Sequence, residues 1–118
     1  MTTFARDELI ASQLEYTTID PSKCITSTLL EIGSKDLVSN SAVDVGLWEH
    51  PIGESTDIEV EEVFVVLAGT GTVYIEDGSN RTLKLAPGTV GVLQKGTPTR
   101  WVIDSPLRKV YILPKGRD

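Results

Sequence analysis

Glu62-Val63-Phe64-Val65-Val66-Leu67-Ala68-Gly69 is the stretch that decides the fold. A carboxylate opens a run of six mostly β-favouring residues, and a glycine closes it. Such a run suits the pleated, half-buried surface of a sheet. Downstream, Gly69-Thr70-Gly71 predicts a tight turn and residues 72–76 a strand. Asp77-Gly78-Ser79-Asn80 is a hairpin signal, and 81–85 returns as the next strand. In Ala86-Pro87-Gly88-Thr89 the order of Pro and Gly presets a type II turn. Residues 90–93, 100–103 and 108–113 read as the last strands.

Upstream, residues 57–67 carry a strand pair or one long bent strand. Pro51-Ile52-Gly53-Glu54-Ser55 separates them from a strand at 42–48. Gly33-Ser34-Lys35-Asp36 predicts a loop, and the β-branched segment 25–30 a strand. Asp20-Pro21-Ser22-Lys23 is a turn, and a short helical turn is expected within 7–14. About nine short strands without a long helix predict an all-β barrel or sandwich. No repeat or linker divides the chain, so one domain is expected over 1–118. Residues 1–22 form an arm across the barrel or a partner subunit, and 23–113 form the barrel.

The chain has 118 residues, which suits one core. Its net charge of −6 argues against nucleic acid or anionic membrane as partner, since both need a basic face. Residues 1–80 hold 3 basic and 15 acidic side chains, whereas 81–118 hold 8 and 2. C-terminal strands are therefore expected to pair with acidic N-terminal ones inside the domain. No apolar run reaches the roughly 20 residues of a membrane span, and the first residues lack a secretory pattern. The expectation is cytoplasmic. Cys24 is the one cysteine, so it is expected to be a buried, small apolar side chain.

Several pieces in order carry a family resemblance. They are Gly46-Leu47-Trp48-Glu49, Glu62 through Gly69, Ile75-Glu76-Asp77-Gly78, Pro87-Gly88, Gly96 followed by Trp101, and Arg108-Lys109-Val110-Tyr111. Together they resemble the small cupins of the DUF861 or Cupin_3 group, whose family name refers to ureidoglycine aminohydrolase. The resemblance implies a double-stranded β-helix, or jelly-roll barrel, with a pocket at one mouth. It also implies a homodimer. Metal-binding cupins carry two His and one Glu in the first motif and one His in the second. Here Glu62 fits, but the His slots fall on Thr56 and Ile58, or on Ser55 and Asp57, and Thr99 takes the last. Imidazole is the donor that suits transition metals, so no bound metal or other cofactor is expected. If a divalent ion were held, Glu62 and His50 would be its ligands.

The pocket candidates are Glu62, Trp101, Thr99, Phe64, Trp48 and His50. Glu62 is either a pocket carboxylate or the partner of Arg100 or Arg108. Strand alternation puts Thr99, Trp101 and Ile103 on one face, and the resemblance puts Thr99 in a slot that points into the barrel, so Trp101 is expected to point inward too. The same parity sends Phe64 inward with Glu62, and Tyr74 is expected to join them. His50, the only histidine, reads as a surface imidazole before Pro51, with a ligand or general base beside Glu62 as the alternative. Glu54, Glu59 and Glu61 read as a solvated acidic edge. The expected function is binding of a small polar or cationic metabolite against Glu62 and an aromatic wall. Whether the chain is an enzyme stays open. The alternatives are a ureide hydrolase, implied by the resemblance, and a dimeric interaction module motivated by the apolar Val63, Val65, Leu67 face.

Overall fold

The computed structural model describes residues 1–25 and 29–116. It has a short helix α1 (Arg6–Ala11) and eight strands: β1 (Glu15–Thr18), β2 (Glu31–Ser39), β3 (Val43–His50), β4 (Gly53–Ile58), β5 (Glu62–Ile75), β6 (Thr82–Leu85), β7 (Val90–Leu93) and β8 (Pro98–Pro114). Every strand pairing is antiparallel. The fold is the all-β jelly roll expected from the sequence. Among the described residues no helix is long and apolar enough to cross a membrane.

Two long strands organise the barrel. β8 pairs with β4 through its first half, where Trp101 faces Ser55, and with β3 through its second, where Lys109 faces Trp48. β5 runs beside β8 along both halves. The rest of the order follows from these two, as β1-β2-β3-β8-β5-β6 with β7 on the free side of β5. Phe64, Val66, Val73, Leu85, Leu93, Trp101, Ile103 and Leu107 meet in the core. The C-terminal cations do pair with acidic side chains earlier in the chain. Arg100 bonds Glu54 and Glu76, Arg108 bonds Glu49, Lys109 bonds Glu62 and Lys115 bonds Asp44.

Several local expectations differ from the structure, most of them because tertiary pairing overrides a local turn signal. Gly33–Asp36 is not a loop but the middle of β2, paired with β3. Gly33 is needed there because Tyr16 of β1 packs over it; a Cβ would lie 2.7 Å from Tyr16 Cε1. Gly69-Thr70-Gly71 is not a tight turn. β5 continues through it as a bulge, with the register against β8 shifting between Val66 and Gly71. Gly69 sits at φ 89°, and an added Cβ would be 2.6 Å from Leu107 Cα. The separate strands expected at 100–103 and 108–113 are likewise one strand, β8. Pro51-Ile52 breaks the chain as read, but Gly53 already begins β4. The strand expected at 25–30 falls partly on 26–28, outside the described residues, and its ends Ile25, Leu29 and Leu30 lie outside any strand.

The bulge also corrects Tyr74. Before it the buried residues of β5 are Glu62, Phe64 and Val66; after it they are Gly71 and Val73. The inward parity has changed from even to odd. Tyr74 consequently lies on the outer face, half-buried, with the Arg100 guanidinium 4.2 Å from its ring centre.

The segment that carries α1 is held from the barrel. Arg108 Nη1 donates to the carbonyls of Leu9 and Ile10 at 2.9 Å and of Ser12 at 2.8 Å, at and just past the end of α1. Its Nε donates to Glu49 Oε1 at 3.1 Å, while Tyr16 Oη donates to Glu49 Oε2 at 2.5 Å.

Substituting Gly69→Ala should cost at least about 3 kcal/mol, because positive φ and a blocked Cβ combine. Gly88→Ala, at φ 92° with open space around it, should cost only about 1 kcal/mol. Urea unfolding of the two variants gives the comparison; equal costs would remove the bulge from its place in this fold.

Candidate functional site

A cavity of about 320 Å³ opens at one end of the barrel. Trp48, Ser55, Glu59, Glu62, Trp101 and Lys109 line its inner part, and Lys23, Asp57, Tyr111 and Leu113 are among the residues nearer its rim. At its floor Lys109 Nζ donates to Glu62 Oε2 at 2.6 Å. Both side chains are almost wholly out of water, 4% and 10% exposed. The ammonium also lies 4.3 Å from the ring centre of Trp48, 4.5 Å from Trp101 and 4.6 Å from Phe64. An aromatic face is electron-rich and attracts a cation, more so when desolvated. Lys109 is therefore neutralised on one side by a carboxylate and enclosed elsewhere by π faces.

Behind the pair stands a second polar cluster. Trp101 Nε1 donates to Glu59 Oε2 at 3.1 Å and to Thr99 Oγ1 at 3.2 Å. The Thr99 hydroxyl donates in turn to the same Glu59 oxygen at 2.5 Å. Glu59 is held in place by its backbone, which exchanges hydrogen bonds with Gly96 and Thr97. Burial pushes the Glu59 carboxyl above the ordinary glutamate range, against the hydrogen bonds from Thr99 and Trp101 that favour its charge.

His50, at the end of β3, is fully buried rather than on the surface. The short connection to β4 folds back on it: Nε2 meets Ser55 Oγ at 2.8 Å and Nδ1 meets the Pro51 carbonyl at 2.6 Å. Its ring lies 5.4 Å from Trp48, centre to centre. Burial holds its pKa below the ordinary histidine value, and the Lys109 charge adds to the effect.

The expected site residues divide accordingly. Glu62, Trp48 and Trp101 line the cavity; Phe64 lies under the Lys109 ammonium; Thr99 and His50 are buried with partners of their own. Glu62 pairs with neither Arg100 nor Arg108, and His50 partners Ser55. Glu59 is buried beside Trp101, not on a solvated edge. Cys24 is only part-buried, since its backbone bridges to Ser55 at the margin of the sheet. Lys109 is the main residue that sequence reasoning missed, although a signal existed. Thr99, Trp101, Ile103, Leu107 and Lys109 all have the same parity on one strand, and all are buried. Nothing local marks Glu59 or Ser55, because turn contacts and a neighbouring strand place them.

The donor set does not fit the transition-metal site of the metal-binding cupin pattern. Among the described residues no three His, Cys, Asp or Glu side chains cluster as metal ligands. Glu62 is engaged by an ammonium, Thr99 by Glu59, and Ile58 is exposed.

Breaking a buried ion pair leaves one charge without a partner, at a cost of about 3 kcal/mol or more. Lys109→Met and Glu62→Leu should each lose that much. The double variant should lose at least about 2 kcal/mol less than the sum, because two apolar side chains can share the space. Chemical denaturation of the four proteins measures the coupling; additive losses would mean that the pair is not a unit.

The model of the Cupin_3 family, described as the EutQ-like cupin domain, matches residues 39–111. Among solved structures, the EutQ protein of Clostridium difficile superimposes with a TM-score of 0.64 at 17% identity, over 86% of this chain and 83% of that one. An ethanolamine utilization protein Q of Salmonella typhimurium gives 0.62 at 19%, over 89% and 98%. A DUF861-family protein of Pseudomonas syringae gives 0.73 at 23%, over 86% of this chain and 44% of that one. At these identities the likeness is one of fold. A search of curated proteins returned no match.

Proposed function

From the premise that the chain belongs to the Cupin_3 family of EutQ-like cupin domains, we propose that it binds a small polar metabolite in the barrel cavity without a metal ion. The observation that carries this is the buried Lys109–Glu62 pair on the floor of an open cavity walled by two indoles. Burying such a pair costs free energy, since each ion loses several kcal/mol of hydration. The place where a ligand ammonium would meet Glu62 and the aromatic wall is taken by Lys109 itself. What remains for a ligand are polar groups of both kinds: the Ser55 hydroxyl, Lys23 with Asp57, and the outer faces of the pair. That set suits a neutral or zwitterionic compound with carbonyl or carboxylate oxygens more than a simple cation.

Loss of the imidazole donors supports the metal-free part of the reading. An ammonium beside Glu62 repels any divalent ion that approaches the carboxylate.

The outer face supports a homodimer as a further property. Val90 and Val92 of β7 are 58% and 69% exposed, and among the described strands β7 pairs only with β5. An exposed apolar edge strand is a surface that proteins ordinarily cover.

A thermal-shift screen of amino acids and ureides tests the binding reading. A ligand at ten times its dissociation constant should stabilise the fold by about 1.4 kcal/mol, a shift of about 5 °C for a domain of this size. Failure of every compound to stabilise the protein would refute it. Light scattering at micromolar concentration should give twice the chain mass of 12.8 kDa, falling to the monomer mass in Val90→Lys/Val92→Lys. A monomeric native protein would dispose of the dimer.

A further inference from the structure

We propose that Ser55 and His50 are a nucleophile and its base on the wall of the barrel cavity, and that the cavity accepts a small ester or similarly activated acyl donor whose acyl group passes to Ser55 Oγ. The inference goes beyond the binding reading, from which it takes only the cavity.

Hydrogen-bond logic fixes the direction of the proton. The Pro51 carbonyl can only accept, so His50 Nδ1, 2.6 Å away, carries the hydrogen. In a neutral imidazole the other nitrogen then offers a lone pair. Nε2 therefore accepts from the Ser55 hydroxyl at 2.8 Å. Nucleophile, base and orienting group stand in the order that activates a serine, with a backbone carbonyl in place of the usual carboxylate. Burial keeps the imidazole neutral and so able to take a proton, although it also weakens it as a base.

Placement supports the same role. Ser55 lines the cavity, whereas His50 is fully buried behind it, shielded from water. Ser55 lies on β4, where its backbone is paired with Trp101 and bridged to Cys24. His50 ends β3 and is braced by Trp48. Both groups thus sit on strands, which hold them more firmly than loops would. Lys109 and Lys23 line the same cavity, each paired there with a carboxylate, so an oxyanion would be met by their remaining N–H donors rather than by a free positive charge.

In the forward step the Ser55 Oγ–carbon bond forms, the hydroxyl proton moves to Nε2, and the carbonyl π pair moves to oxygen. The intermediate collapses as the bond to the leaving alkoxide breaks, and that group departs with the proton from Nε2. Water then repeats the sequence on the acyl-serine, releasing the carboxylic acid and restoring the hydroxyl. No oxidant, reductant or metal is required.

A serine that merely completes the hydrogen bonding of a buried histidine would be inert. Incubation of the native protein with a small alkyl fluorophosphonate, followed by intact mass and peptide mapping, separates the two roles. The expected result is one adduct per chain, on Ser55, absent in Ser55→Ala. Labelling of folded His50→Gln should be slower by at least about 100-fold. No adduct on the native protein, an adduct on another residue, or an unchanged rate in folded His50→Gln would overturn the proposal. Because the adduct is mapped on the native chain, the result does not depend on the variants folding. Nor does it depend on the thermal-shift screen: labelling without metabolite binding would remove the binding reading alone, and binding without labelling this one.

Discussion

The charge of Lys109 inside the barrel is tolerable only because Glu62 meets it, and much of the site follows from that pair. Lys109 reaches the interior because β8 runs without a parity change from Thr99 to Lys109. Glu62 reaches it because β5 starts with its even residues inward. β5 and β8 are neighbours along both halves, so the two charges arrive on adjacent strands. Trp48 arrives from β3, directly opposite Lys109 in the ladder. Each ring over the ammonium contributes about 0.5–2 kcal/mol, which offsets part of the lost hydration.

The bulge at Gly69 makes the shared core possible. With it, Val73 and Phe64 belong to one core cluster although their residue numbers differ in parity. Arg108 shows a related economy at the other face of β8. It is the immediate neighbour of Lys109, yet its guanidinium turns to Glu49 and to the carbonyls that end α1. Two consecutive cations therefore serve separate purposes, one anchoring the segment that carries α1 and one the cavity floor.

The fold was legible because order and spacing of strand and glycine blocks are properties of the sequence itself. Alternation groups Phe64 with Glu62 and Trp101 with Thr99, and the cupin resemblance says which of the two faces points inward. Alternation failed at Tyr74, where a glycine bulge inserts one residue into the count. At Lys109 alternation continues unbroken from Thr99, whereas charge balance says which strands attract one another without saying which face a side chain takes. His50 was misread because Pro51 suggests an exposed turn, whereas the connection is short enough for β4 to bring Ser55 back against the ring. Glu59 needed the backbone bonds to Gly96 and Thr97, which no local pattern encodes.

In the structure the Lys109 ammonium neutralises Glu62, and on the proposed reading no metal ion takes its place. A high-resolution crystal structure grown with excess Mn²⁺ or Zn²⁺, with anomalous data collected at the metal edge, tests it most directly. The expected result is Lys109 Nζ within hydrogen-bond distance of Glu62 and no anomalous peak in the cavity. An ion at about 2.0–2.2 Å from Glu62, with Lys109 turned away, would contradict it.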